Sequence, residues 1–244
     1  MVKKIVGIVP ARFASTRFPG KPLEVLAGKT IIQRTYEQAK IALNDVYVAT
    51  DDLRIYDHVK AFGGQVVMTS SDHISGTDRI EEAISNLNLE CEYVINIQGD
   101  EPLIHPDQIK ELAEILNGEV EIATQARQIE DPHKISDPNI VKVVINKKGN
   151  ALYFSRSKIP FARSESYVHY YQHIGIYAYR MDILQKIKAL PTSNLEKTEM
   201  LEQLRWMDHG FNISVTITNH KTIGIDTPED LKYAENILSG MQID

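Results

Sequence analysis

The amino-acid sequence predicts a mixed α/β chain, with a mostly parallel central sheet in its first half and added antiparallel strands in its second. Three observations carry this expectation. Up to about residue 116, short apolar runs alternate with amphipathic stretches, the βαβα order that yields parallel strands covered by helices. Residues 4–9 are apolar almost throughout, as a strand buried on both faces must be. Beyond about residue 120 the helical spacing lapses, and β-branched or aromatic runs joined by Asn146-Lys147-Lys148-Gly149-Asn150 suggest a hairpin.

Taken in order, residues 4–9 form the first strand, followed by a loop rich in proline, glycine and arginine. Residues 30–43 place Ile32, Tyr36, Ala39 and Leu43 at spacings of three and four, which gives a helix with one buried face. Strands are expected at 46–49, 65–68 and 93–97, separated by helices at 52–62, closed by Gly63-Gly64, and at 77–87. A helix at 105–116 carries Pro106 near its start, where the missing N–H does no harm. The second half predicts strands at 140–145, 151–154 and 175–179, then a helix over 195–209. Strands at 213–217 and 222–225 and a helix at 228–238 complete it. No repeat or linker divides the chain, so residues 1–244 read as one domain whose second half adds antiparallel strands as a dimerisation flap.

Composition excludes several classes. The formal net charge of −6 argues against a broad basic face for nucleic acid, though a few cations in one cleft suffice for a triphosphate. No run of about 18 apolar residues occurs, so no membrane span is expected. The N-terminal apolar run is too short for a signal peptide and is followed by Arg12 and Arg17. Cys91, the only cysteine, has no internal disulfide partner, and no Cys/His cluster has zinc spacing. A reducing cytoplasm fits these features.

The densest chemistry lies in the loop from Pro10 and Ala11 to Leu23. It sets Arg12, Arg17 and Lys21 beside Ser15, Thr16 and Gly20, directly after the first strand, where α/β sheets place their ligands. The cations suit phosphate, and the glycine lets backbone approach a ligand; a solvated basic loop is the plain alternative. Neither Gly-x-x-x-x-Gly-Lys-[Ser/Thr] nor Gly-x-Gly-x-x-Gly occurs, which counts against a P-loop NTPase and against a dinucleotide enzyme. Gln98-Gly99-Asp100-Glu101-Pro102 ends the fourth strand, and Asp100 suits a hard oxygen ligand for Mg²⁺ or, alternatively, a helix cap. Asp226, before Thr227-Pro228, reads as a helix cap alone and as a second metal ligand when paired with Asp100. Ser75, Gly76, Thr77 and Arg79 offer donors for a base or ribose, although the same run is a common helix start.

Together these segments closely resemble the 3-deoxy-manno-octulosonate (Kdo) cytidylyltransferase family, the CMP-Kdo synthetases. Further matching segments are Val48-Ala49-Thr50-Asp51, residues 138–144, residues 151–156, His173-Ile174-Gly175-Ile176-Tyr177, residues 199–205 and residues 226–231, in family order along the chain. The resemblance implies a Rossmann-like nucleotidyltransferase fold, a homodimer, and transfer of CMP from CTP to the sugar acid Kdo with release of pyrophosphate, for lipopolysaccharide. It implies a sugar-binding and dimerisation subregion at about 125–210. Arg12, Ser15 and Lys21 then match the triphosphate loop, Ser75, Gly76, Thr77 and Arg79 the cytidine segment, and Asp100 and Asp226 the Mg²⁺ ligands. Gln98, Arg156, His173, Tyr177, Glu202 and Gln203 match positions around the sugar acid. Arg156 suits a carboxylate, while His173 also reads as a structural histidine, and Arg156 and Glu202 as surface or dimer contacts. The 8-amino analogue of Kdo, or another acidic sugar, is an alternative substrate. A nucleotide-binding protein that has lost its chemistry is the rival of another class, against which intact Lys21, Asp100 and Asp226 argue.

Overall fold

The computed structural model describes residues 4–14, 17–73 and 76–240. The chain divides into two compact units, residues 1–110 with 221–244 and residues 111–220.

In the first unit, β1 (Ile5–Ala11) buries Val6, Ile8 and Val9 completely. A two-stranded hairpin, β2 (Val25–Leu26) and β3 (Lys29–Thr30), turns through Ala27 and Gly28, both at positive φ. Helix α1 (Ile31–Ala42) starts where the Thr30 hydroxyl accepts the Gln33 N–H. Next come β4 (Asp45–Thr50), α2 (Leu53–Ala61), β5 (Val66–Met68), α3 (Gly76–Asn86), β6 (Tyr93–Asn96) and α4 (Pro106–Glu114). β1 pairs in parallel with β4 and β6, and β4 with β5. The carboxyl ends of these strands therefore face one way, and the loops after β1 and β6 share that edge.

The second unit begins with β7 (Ile122–Gln128), the short α5 (Pro132–Ile135), β8 (Lys142–Ile145) and β9 (Ala151–Ser155). It continues through β10 (Tyr171–Arg180), α6 (Met181–Lys188), α7 (Asn194–Glu199), α8 (Gln203–Asp208) and β11 (Ile213–Ile217). β10 runs antiparallel to β7, with an irregularity between Ile174 and Tyr177, and β11 runs parallel to β7. β8 and β9 form the hairpin expected across residues 146–150. The chain ends in α9 (Pro228–Leu238), which belongs to the first unit.

Three expectations need correction. The helix expected over 195–209 is two helices, because Met200 adopts a left-handed conformation at φ 54°. The break lets the Arg205 guanidinium grip both oxygens of Glu196 at 2.7 and 2.5 Å. In one straight helix those residues would stand about 13.5 Å apart along the axis. Residues 222–225 form no strand: Ile225 sends its N–H to the Asp100 carbonyl at 2.9 Å, a single loop contact. β7 was not expected at all, since Ala123, Thr124, Gln125 and Ala126 lack a strong strand signal, yet all four are buried.

An apolar cluster assembles the edge of the first unit. Leu26, Ile31, Ile225 and Ala234 are fully buried together, with Phe18, Leu103 and Leu231 packed against them. Phe18 comes from the loop after β1, Leu103 follows Asp100, and Ile225 precedes Asp226. Burying a side chain such as Ile225 is worth about 1.5–3 kcal/mol, and here it draws three sequence-distant polar segments to one place.

Candidate active site

The loop after β1 is sealed at its base, where the Gly20 N–H donates to the Phe13 carbonyl at 2.9 Å. Gly20 sits at φ 76°, and a Cβ there would lie 3.1 Å from the Phe13 ring, so the turn needs glycine. A 3₁₀ turn, Lys21–Leu23, follows and directs Lys21 inward. The Lys21 ammonium, only 9 % exposed, lies 2.8 Å from Asp100 Oδ2 and 3.1 Å from Asp226 Oδ1. Arg17 places a second cation 3.1 Å from Asp226 Oδ1 while remaining largely exposed.

Backbone geometry brings the two carboxylates together. A Cβ on Gly99 would stand 2.4 Å from the Pro10 carbonyl oxygen, so only glycine lets the turn before Asp100 close onto the end of β1. The Ile225 N–H bonds the Asp100 carbonyl, which registers Asp226 beside Asp100. Asp226 is not the cap of α9. That role falls to Thr227, whose hydroxyl accepts the Asp230 N–H, while Asp230 Oδ2 accepts the N–H groups of Asp226 and Thr227 at 3.0 and 2.9 Å. Asp100 caps no helix either, because α4 starts only at Pro106. Beside it, burial first and then the Asp100 charge push the Glu101 carboxyl up to about 8. Its Oε2 is buried with no partner among the described residues.

Pro10 and Ala11 are the last residues of β1, and Arg12 follows half-buried. Gly76, buried Thr77 and Arg79 lie in the first turn of α3. Arg79 is fully buried: its guanidinium donates to Thr69 Oγ1 at 2.5 Å and to Asp51 Oδ2 at 3.2 Å. Desolvation lowers its pKa, Asp51 opposing and Arg12 reinforcing that shift. Ser15 and Ser75 lie outside the described residues. Gln98, half-buried after β6, accepts the Glu101 N–H at 3.2 Å through its backbone carbonyl.

In the second unit, His173 and Tyr177 project from β10 into an aromatic cluster. The His173 ring lies 5.0 Å from Phe154 and 5.3 Å from Tyr177, which packs edge-on against Trp206. Burial lowers the His173 pKa to about 3, so its imidazole is neutral. Thr124 Oγ1 donates to the Ile176 carbonyl at 2.7 Å and faces His173 Nε2 at 3.0 Å. That network assigns the proton to Nε2 and leaves Nδ1 as an acceptor. The Tyr177 hydroxyl is buried with no well-formed hydrogen bond among the described residues. Its pKa is raised chiefly by burial, then by Tyr179 and Glu202, although the Thr124 hydroxyl beside it partly offsets the rise. Buried Gln203 opens α8 directly after Glu202. Arg156 is held by backbone carbonyls: its Nε donates to that of Glu199 at 2.9 Å and its Nη1 to that of Pro138 at 3.1 Å. A cavity of about 360 Å³ in this unit is lined by Val143, Ile145, Pro160, Phe161, Tyr167 and Tyr171, none of them an expected sugar contact.

The structure thus gathers Lys21, Asp100 and Asp226, and separately His173 with Tyr177. Arg17, expected only as one of three phosphate-suited cations, is found on Asp226; Asp51 pairs instead with Arg79, and Glu101 lies beside Asp100, neither carboxylate having been assigned a role from sequence. Arg17 and Asp51 stood in quoted motifs, but their partners lie in distant segments.

A mixed α/β fold carrying a lysine–carboxylate cluster beyond the ends of β1 and β6 fits a nucleotidyltransferase, the class to which the family match assigns the chain. Residues 6–217 match the cytidylyltransferase family, and the chain belongs to it. It is 52 % identical to the 3-deoxy-manno-octulosonate cytidylyltransferase of Bacteroides thetaiotaomicron, over 96 % of this chain and 98 % of that protein. It is 49 % identical to the 8-amino-3,8-dideoxy-manno-octulosonate cytidylyltransferase of Shewanella pealeana, over 93 % and 96 %. Among solved structures it is similar to a CMP:2-keto-3-deoxy-manno-octonic acid synthetase complexed with CTP. That match has a TM-score of 0.93 and 42 % identity, covering 97 % of this chain and 99 % of the other.

Proposed function

We propose that this protein transfers CMP from CTP to Kdo, giving CMP-Kdo and pyrophosphate, with Mg²⁺ bound by Asp100 and Asp226. The observation that carries the reading is the convergence of both carboxylates on the Lys21 ammonium, at 2.8 and 3.1 Å. Two carboxylates from distant segments that already share one cation fit a site built to share a divalent one. A bound Mg²⁺ supplies Lewis-acid polarisation of phosphate oxygens and lowers the pKa of a coordinated hydroxyl.

The chain's own groups divide the remaining work. Lys21 and Arg12 neutralise and align the triphosphate, as in-line displacement requires. The sugar's anomeric hydroxyl oxygen bonds the α-phosphorus, the bond to pyrophosphate breaks, and the hydroxyl proton passes to solvent. Gly76 and Thr77 offer polar groups to the cytidine, while buried Arg79 braces that segment through Thr69 and Asp51. Arg156 has guanidinium hydrogens beyond the two already engaged, suited to the sugar carboxylate. His173 Nδ1, Tyr177, Gln98, Glu202 and Gln203 suit its hydroxyls. Arg12 makes no hydrogen bond or ion pair with another described residue, which suits a group kept for phosphate.

The reading extends to a homodimer in the cytoplasm that feeds lipopolysaccharide assembly. Phe161 and Tyr167, each 86 % exposed beside the cavity of the second unit, are large apolar side chains that a second copy would cover. No helix among the described residues is long and apolar enough to cross a membrane. The near-equal identities to relatives named for Kdo and for its 8-amino analogue favour testing both sugars. Mass spectrometry of products from CTP, Mg²⁺ and each sugar is the direct test. A CMP adduct of Kdo, formed faster than that of the 8-amino analogue, is expected; a preference for the analogue would reverse the sugar assignment, and no adduct would reject the activity.

A further inference from the structure

The second unit holds a buried cation that the chemistry above does not use. Lys142, at the start of β8, is 0 % exposed, and its ammonium donates to three backbone carbonyls: Asp137 at 2.9 Å, Ile140 at 2.6 Å, and Arg156. Those are all the hydrogen bonds an ammonium can make. No carboxylate among the described residues pairs with it, although the charges of Asp137 and Glu199 bear on it. A buried ammonium is costly to keep, so carbonyl ligation alone calls for a reason.

What the ammonium binds supplies that reason. Residues 137 and 140 flank Pro138, whose carbonyl takes the Arg156 Nη1, so Lys142 fixes the loop that receives Arg156. It also ties down the backbone of Arg156 itself. Glu199 completes the frame from the end of α7. Its carboxylate accepts the Ser155 hydroxyl at 2.5 Å and the Arg156 N–H at 2.9 Å, while its carbonyl accepts Arg156 Nε. The same segment reaches His173, whose N–H donates to the Val141 carbonyl at 2.8 Å. Residues 137–142 therefore couple the backbone positions of Arg156 and His173.

We propose that Lys142 and Glu199 are positioning residues for sugar-acid recognition, holding Arg156 in a preset orientation so that its remaining guanidinium hydrogens meet the carboxylate without reordering. The inference rests on the reading of Arg156 given above. An arginine side chain free in solution loses rotamer freedom when immobilised; here the frame takes that cost during folding, before the sugar arrives.

The test measures KM for Kdo and for CTP in Lys142→Met, Glu199→Gln and Arg156→Ala, each checked for native circular dichroism and melting. Glu199→Gln keeps one acceptor oxygen but sets an N–H₂ against one of the two donors, the Ser155 hydroxyl or the Arg156 N–H, and removes the charge, so it probes the frame even if Lys142→Met does not fold. Each frame variant is expected to raise the Kdo KM about 10-fold while the CTP KM stays within about twofold. In an Arg156→Ala background, Glu199→Gln should raise the Kdo KM no further, because the two act as one unit. An unchanged Kdo KM in the folded frame variants, with a raised one in Arg156→Ala, would overturn this proposal and leave the role of Arg156 standing. Equal rises for both substrates would also overturn it. An unchanged Kdo KM in Arg156→Ala would remove the reading on which the proposal rests.

Discussion

Lys21 and Asp100 are 79 residues apart in sequence, yet the lysine ammonium lies 2.8 Å from the aspartate Oδ2. Asp226, still further along the chain, meets the same nitrogen at 3.1 Å. The ammonium thus stands on the oxygens proposed to hold the divalent cation, and a bound triphosphate would offer it an alternative partner. Binding of nucleotide and metal should consequently be coupled in both directions. Mn²⁺ titrations followed by electron paramagnetic resonance should show weak binding to the free protein and at least about 10-fold tighter binding with CTP present. Lys21→Ala should tighten Mn²⁺ binding to the nucleotide-free protein while lowering turnover; weaker binding in that variant would contradict the placeholder role.

The proposed Mg²⁺ ligation by Asp100 predicts that its removal acts on the reaction rather than on nucleotide affinity alone. Asp100→Ala is expected to lose at least about 100-fold in kcat, or about 2.7 kcal/mol of barrier. Steady-state rates in saturating Mg²⁺ and CTP measure this. A near-normal kcat would exclude Asp100 as an essential ligand.

Gly99 makes a sharper structural prediction. Its substitution by alanine sets a Cβ 2.4 Å from the Pro10 carbonyl oxygen, and both sides of that contact are backbone. Gly99→Ala should cost about 1–3 kcal/mol, the range for overpacked sites, visible as a lower Tm. It should also reduce activity, because Asp100 is the next residue. A wild-type Tm would mean that the turn does not need this close approach.

The His173 imidazole supplies a pH dependence of stability. Its pKa falls from the ordinary 6.5 to about 3 in the folded protein through burial. Above about pH 6.5 the ring is neutral in both folded and unfolded chains and contributes no slope. Between pH 6.5 and about 3 only the unfolded chain takes the proton, so stability falls on acidification, by about 1.4 kcal/mol per unit for this group. Denaturant unfolding at several pH values should show a shallower loss for His173→Gln in that window. An identical slope would mean that His173 takes up its proton at an ordinary pH in the folded chain.

Much of the first unit was legible in the sequence because its signals are local. The apolar run that became β1, the spaced face of Ile32, Tyr36 and Ala39 in α1, and the Gly63-Gly64 stop after α2 each reflect a rule acting within a few residues. The second unit was harder because its elements answer to distant partners. Thr124 and Gln125 are buried in β7 through strand pairing and packing that their residue types do not announce. The break at Met200 follows from the tie between Arg205 and Glu196 and from the hold on Glu199 by Ser155 and Arg156. Residues 222–225 carry β-branched chemistry but find only the Asp100 carbonyl instead of a strand. At the site, the residue types of Lys21, Asp100 and Asp226 were readable from their motifs. The direct ammonium bridge between the two carboxylates, the engagement of Arg79 by Asp51 and the burial of Glu101 Oε2 were not, because each depends on tertiary contacts.

The proposed reaction joins CMP to an acidic sugar. The direct measurement is pyrophosphate release with Mg²⁺ and each of the four common ribonucleoside triphosphates, with and without Kdo. Release only with CTP and Kdo together is the expected result, and it should vanish when Mg²⁺ is chelated. Release with another nucleotide, or none from any pair, would contradict the proposed reaction.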